Sequence, residues 1–133
     1  MKRLFLLLIV LFIVCSVPAK SQTDKSLRTS RNASEKQKTQ LYLELALKTK
    51  ADTGRSNSYS RLAYQFAVKN KQVQLQAKAL YMLGENLYNS SDFHLALPEY
   101  QKALAIYASI HDTANVVNCY KLIGLCYYNI DQG

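Results

Sequence analysis

Acidic residues are scarce in this chain: nine Asp and Glu stand against seventeen Lys and Arg, for a formal charge of +8 over 133 residues. Glycine and proline number only four and two. β-Branched residues are sparse and no segment alternates strictly between apolar and polar, so nothing supports a sheet. Metal-binding spacings such as CxxC or HExxH are absent, and the two histidines, His94 and His111, lie far apart; they read as solvated surface residues, and no metal is expected. There is no Gly-rich phosphate loop, and neither histidine has a Ser, Cys or Asp at a spacing that argues for a triad. Catalysis is therefore not expected within these residues, and no cofactor is implied.

One long hydrophobic run is present, and it comes first. Met1, Lys2 and Arg3 give a positive start, Leu4 to Cys15 is continuously apolar, and Ser16 to Ser21 is short, small and Pro-containing. That is the three-part pattern of a secretory signal peptide, here assigned to residues 1–21. As a helix the run reaches about 18 Å, short of a hydrocarbon core of roughly 30 Å. Ala19 and Ser21 place small side chains three residues and one residue before a cut ahead of Gln22. An uncleaved membrane anchor and a lipid-modified Cys15 are the rival readings; the bulky Val14 before Cys15 argues against the second. The expected location is exported, periplasmic or extracellular, with membrane attachment only if the segment is retained or through a part beyond Gly133.

Loss of residues 1–21 removes three bases and no acid, lowering the charge to +5. Much of the remaining excess lies between Gln22 and Lys50, with seven bases and three acids. Residues 22–33 are polar, basic and without hydrophobic period, a flexible leader. A nucleic-acid site needs a basic stripe on folded structure with aromatics beside it. No nucleic-acid partner is expected in this segment.

From Ser34 onward the apolar spacing is helical, and it predicts helices over 34–49, 56–70, 73–89, 93–110 and 113–130. The fourth shows the logic best. Phe93, Ala96, Leu97, Tyr100, Ala103, Leu104 and Tyr107 recur at steps of three and four and form one stripe. Asp92 and Asp112 are placed to cap the fourth and fifth helices. Pro98 removes a backbone donor inside the fourth helix, where a local bend rather than a break is expected because the stripe continues in phase. Cys119 and Cys126 are seven residues apart in one predicted helix, which puts their Cα atoms about 10 Å apart, too far for a disulfide. They read as small, buried apolar groups.

The chain repeats itself. Gly84 and Gly124 lie forty residues apart, Ala63 and Ala103 precede them by the same interval, and Leu80–Tyr88 aligns with Tyr120–Tyr128 without a gap. One complete unit reads Leu80, Leu83, Gly84, Leu87, then Ala96, Tyr100 and Ala103; the next begins Tyr120, Ile123, Gly124 and Tyr127. These residues and spacings resemble the tetratricopeptide repeat family. The unit before them is degenerate, with Tyr42, Leu45, Ala46 and Ala63 in place but Ser56 and Ser60 where Ala and an aromatic belong. The resemblance covers residues 34–133 and implies an all-α solenoid of antiparallel helix hairpins. Small residues would sit where helices approach closely and large ones would fill the space between them. The forty-residue period exceeds the family's usual 34 and is similar to the long-helix version in extracytoplasmic regions of bacterial regulators, sensor histidine kinases among them.

The resemblance also implies a function, a scaffold that binds protein or peptide in a concave groove lined by the first helices of successive units. Carried over by position, its lining is Lys78, Tyr81, Glu85, Tyr88 and Asn89, then Asn118, Lys121, Leu125, Tyr128 and Asn129. Tyr81, Tyr88 and Tyr128 are equally readable as ordinary half-buried helix residues. Family members that bind chaperone tails grip a carboxylate with Lys, Arg and Asn, whereas this chain has Tyr81, Met82 and Glu85 there, which argues against such a partner. The segment around Leu122, Ile123, Leu125, Cys126, Tyr127 and Tyr128 is apolar almost all round. It implies a chain that continues beyond Gly133 or pairs with something through this end. The alternative reading, of a different class, is the sensory front of a membrane-bound histidine kinase or transcriptional regulator.

Overall fold

The computed structural model describes residues 33–133, which form one compact unit; the signal segment and nearly all of the leader lie outside the described residues. Five helices follow in order: α1 (Glu35–Lys48), α2 (Thr53–Lys69), α3 (Val73–Asn89), α4 (Phe93–Ser109) and α5 (Thr113–Gln132). No strand occurs among the described residues. Each helix packs on its neighbours in sequence, and α1 also touches α3. The expected all-α architecture of antiparallel helix hairpins is the one observed.

The period has a simple physical source. Helices α2, α3 and α4 each contain 17 residues, and each is followed by three connecting residues. Half of the forty-residue unit is therefore one helix and one turn, and the three turns are built alike. Lys71, Ser91 and His111 occupy the left-handed region at φ 55°, 64° and 57°. The next residue in each case, Gln72, Asp92 or Asp112, donates its backbone N–H back to Ala67, Leu87 or Tyr107 at 2.8 to 3.0 Å. This is the Schellman closure, which satisfies carbonyls orphaned at a helix end. It reverses the chain identically three times although none of the left-handed residues is glycine.

Two caps differ from expectation. Asp52 accepts from the Arg55 N–H at 3.1 Å, so α2 begins at Thr53, three residues before the predicted start at Ser56. Asp112 caps α5, accepting from the Asn115 N–H at 3.2 Å. Asp92 stands at the corresponding place before α4, but its side chain makes no cap bond and the turn is closed through its backbone alone. Helix α4 runs through Pro98 without interruption.

Small residues mark where the helices meet. Ala46, Ala63, Ala67, Ala77, Ala79, Ala96, Ala103, Cys119 and Cys126 have no exposed surface at all. Between α1, α2 and α3, Leu43, Ala46, Ala63, Ala79 and Met82 pack together. Leu80, Ala103, Tyr107 and Cys119 make a second cluster, and Leu83, Leu87, Ala96, Tyr100 and Cys126 a third; these join α3, α4 and α5. Gly84 marks a close approach of two helices. A Cβ there would lie 2.8 Å from Cε1 of Tyr100, whose ring is wholly buried.

Gly124 behaves differently from its counterpart, which corrects the packing role expected of it. Apart from its chain neighbours and its own helix backbone, no atom lies within 4 Å of the place a Cβ would take. Tyr120 and Tyr127, expected as packing residues, are 63% and 49% exposed. The reason is positional. In α3 the face bearing Ala77, Leu80, Gly84 and Leu87 meets α4, whereas the matching face of α5 is largely open among the described residues, with the Tyr127 hydroxyl accepting from the Gln101 amide of α4 at 3.5 Å. Ile123, the counterpart of Leu83, is half-buried against the third cluster.

Candidate functional site

A cleft of about 500 Å³ is lined by Leu47 of α1, Gln74, Leu75, Lys78, Tyr81, Met82 and Glu85 of α3, Tyr107 of α4 and Asn115 of α5. Helix α3 lies between α2 and α4 in sequence and packs on both, and one side of it, from Gln74 to Glu85, faces this opening. Lys78, Tyr81 and Glu85 recur there at three- and four-residue steps, one helical stripe. Of the residues expected to line a groove, the structure brings these three together on the cleft.

The remaining expected lining residues divide into two sets. Tyr88 and Asn129 meet each other, with the Asn129 amide donating to the Tyr88 hydroxyl at 3.1 Å and to the Leu125 carbonyl at 2.7 Å. Asn89, Asn118, Lys121, Leu125 and Tyr128 are exposed and do not line the cleft. Leu47, Gln74, Leu75, Met82, Tyr107 and Asn115 were missed. Leu75 is the forty-residue counterpart of Asn115, although that equivalence does not by itself place either in a cleft. Leu47 carried no signal, since it sits in the degenerate first unit.

The cleft combines apolar and aromatic surface with two amides, Gln74 and Asn115, and two charges, Lys78 and Glu85. Leu47 remains 54% exposed although it borders the opening. Tyr81 packs edge-on against Tyr100, ring centres 5.7 Å apart, so its position is fixed by a ring held under Gly84. The ion pairs among the described residues join Glu35 to Lys38 and Lys69, Asp52 to Arg55 and Glu99 to Lys102. Lys78 and Glu85 are in none of them. Burial, and then the charge of Glu85, raise the Tyr81 hydroxyl above its ordinary pKa. Burial foremost also pushes Tyr107 up to about 12. Both phenols are therefore neutral at physiological pH, where they serve as hydrogen-bonding apolar surface.

Elsewhere the chemistry is quiet. His94 and His111 are exposed. The thiols of Cys119 and Cys126 are free and buried, and burial pushes the Cys119 thiol up to about 11. Among the described residues no cluster of His, Cys, Asp and Glu could hold a metal ion, and no helix is long and apolar enough to cross a membrane. Comparison of the chain with protein-family models, with curated proteins and with solved structures gives no match.

Proposed function

We propose that the chain is an exported, tetratricopeptide-type scaffold that binds a segment of another polypeptide in the cleft along α3. The observation that supports the reading is the cleft's composition. Leu47, Leu75, Tyr81, Met82 and Tyr107 offer apolar and aromatic surface, while Lys78 and Glu85 offer opposite charges that are in none of the ion pairs among the described residues. Two charges seven residues apart on one helix are separated by about 10 Å along its axis. The fitting ligand is a short apolar segment flanked by an acid and a base at comparable separation. Tyrosines suit such contacts because they give large area for little lost rotamer entropy. Export is supported by the composition of residues 1–21, and the repeat type by the twenty-residue half-unit and the glycine and alanine contacts.

The test is selection of peptides from a random displayed library against the purified chain, followed by titration of the selected peptides against Lys78→Glu and Tyr81→Ala. The exposed Lys78 can change without disturbing packing, so its variant separates loss of binding from loss of fold. At least a tenfold loss of affinity is expected for Lys78→Glu with peptides that carry an acid. Selected peptides that bind both variants as tightly as the parent would remove the cleft from the account.

A further inference from the structure

We propose that α5 is a homodimerisation helix: two copies of the chain pair antiparallel through the face that bears Val117, Tyr120, Gly124 and Tyr128, and Lys121 of each copy meets Asp131 of the other. This goes beyond the cleft reading and does not depend on it.

Three observations lead there. First, one side of α5 is apolar and open. Val117, Tyr120 and Tyr128 are 61%, 63% and 63% exposed, and Gly124 lies among them at helical spacing with empty space above it. The opposite side, through Cys119, Leu122 and Cys126, is the one that joins the core. Contiguous exposed aromatics of this kind mark contact surfaces. Second, the same register in α3 shows what such a face accepts. There the glycine receives a tyrosine ring from an antiparallel helix, with Tyr100 seated on Gly84. Third, α5 carries just two charged residues, Lys121 and Asp131, of opposite sign, both exposed and in none of the ion pairs among the described residues.

The charges select the occupant and its direction. A parallel, in-register pair of α5 helices would set lysine against lysine and aspartate against aspartate. An antiparallel pair that crosses midway between Gly124 and Tyr128 sets Gly124 opposite the partner's Tyr128 and Lys121 opposite the partner's Asp131. Two-fold symmetry then makes each contact twice. A second copy therefore supplies, from its own sequence, both the ring for the glycine and the opposite charge for each end. A helix of twenty residues is about 30 Å long, so the contact is small by the standard of stable dimers and the association is reversible.

Sedimentation velocity of the whole chain over a protein-concentration series reads this directly. The parent is expected to pass from monomer to dimer. Lys121→Asp and Asp131→Lys should each move that transition to at least tenfold higher concentration, and an equimolar mixture of the two variants should recover it as a heterodimer, identified by native mass spectrometry. Gly124→Leu should also prevent pairing, with circular dichroism showing that helix content is retained. A parent that stays monomeric throughout overturns the proposal. So does a dimer indifferent to the charge changes, or one that the single variants break and their mixture fails to restore.

Discussion

The side-chain amide of Asn86 in α3 donates to the hydroxyl of Ser56 in α2 at 2.7 Å, and Ser56 in turn donates to the Ala46 carbonyl of α1 at 2.9 Å, with both side chains buried. One short relay thus ties three helices together. It also explains why serine stands where the repeat pattern calls for alanine. Removing either member strands a buried polar group, a loss of about 1–3 kcal/mol. Asn86→Ala and Ser56→Ala should each lower the urea midpoint accordingly. The double variant should lose less than the two losses added, because the residues act as one network.

The left-handed turn residues give the opposite expectation. Lys71 and Ser91 hold positive φ with a Cβ present, a conformation glycine adopts more cheaply. Lys71→Gly and Ser91→Gly should each stabilise the fold by roughly 0.5–1 kcal/mol, after allowance for the added freedom of the unfolded chain. Thermal unfolding followed by circular dichroism reads the gain. A loss at both positions would contradict the assignment of these turns.

Stability should fall at both ends of the pH scale, for separate reasons. Hydrogen bonds from Lys38 and Lys69 hold the Glu35 carboxyl at about 2, against 4.5 ordinarily. A pKa lowered by folding contributes stability that is full above the ordinary value and lost as pH falls from there toward the folded one. Glu35→Gln should flatten the acid limb of a plot of urea midpoint against pH. In alkali the sign reverses. Burial raises Cys119 from 9.0 to about 11 and Tyr107 from 10.0 to about 12, and both are neutral when folded. Their contributions are complete below the ordinary values and disappear as pH rises through the folded ones. Cys119→Ala should remove the earlier part of that decline.

The helices and their order were legible because apolar spacing and a forty-residue period both act through local geometry. The start of α2 was not, since Thr53, Gly54 and Arg55 look like loop and helix begins there only because the Asp52 carboxylate satisfies the first turn. In the cleft, Lys78, Tyr81 and Glu85 lie on one helix and could be found by spacing. Leu47, Tyr107 and Asn115 come from three other helices, and nothing local joins them to the stripe. The apolar end of α5 hinted at a missing partner, but the packing role expected of Gly124 did not anticipate its contrast with Gly84. The same residue in the same register is buried or open according to whether another helix lies across it.

That asymmetry carries the most direct test of the stacking account, thermal unfolding of Gly84→Ala and Gly124→Ala at a protein concentration low enough to keep the chain single. Alanine adds helix propensity at both sites, but at residue 84 its methyl would press on the buried Tyr100 ring, an overpacking cost typically of about 1–3 kcal/mol. At residue 124 it meets empty space. The account predicts that Gly84→Ala lowers Tm by roughly 4–8 °C while Gly124→Ala leaves it unchanged or raises it. A Tm for Gly84→Ala equal to or above that of Gly124→Ala would contradict it.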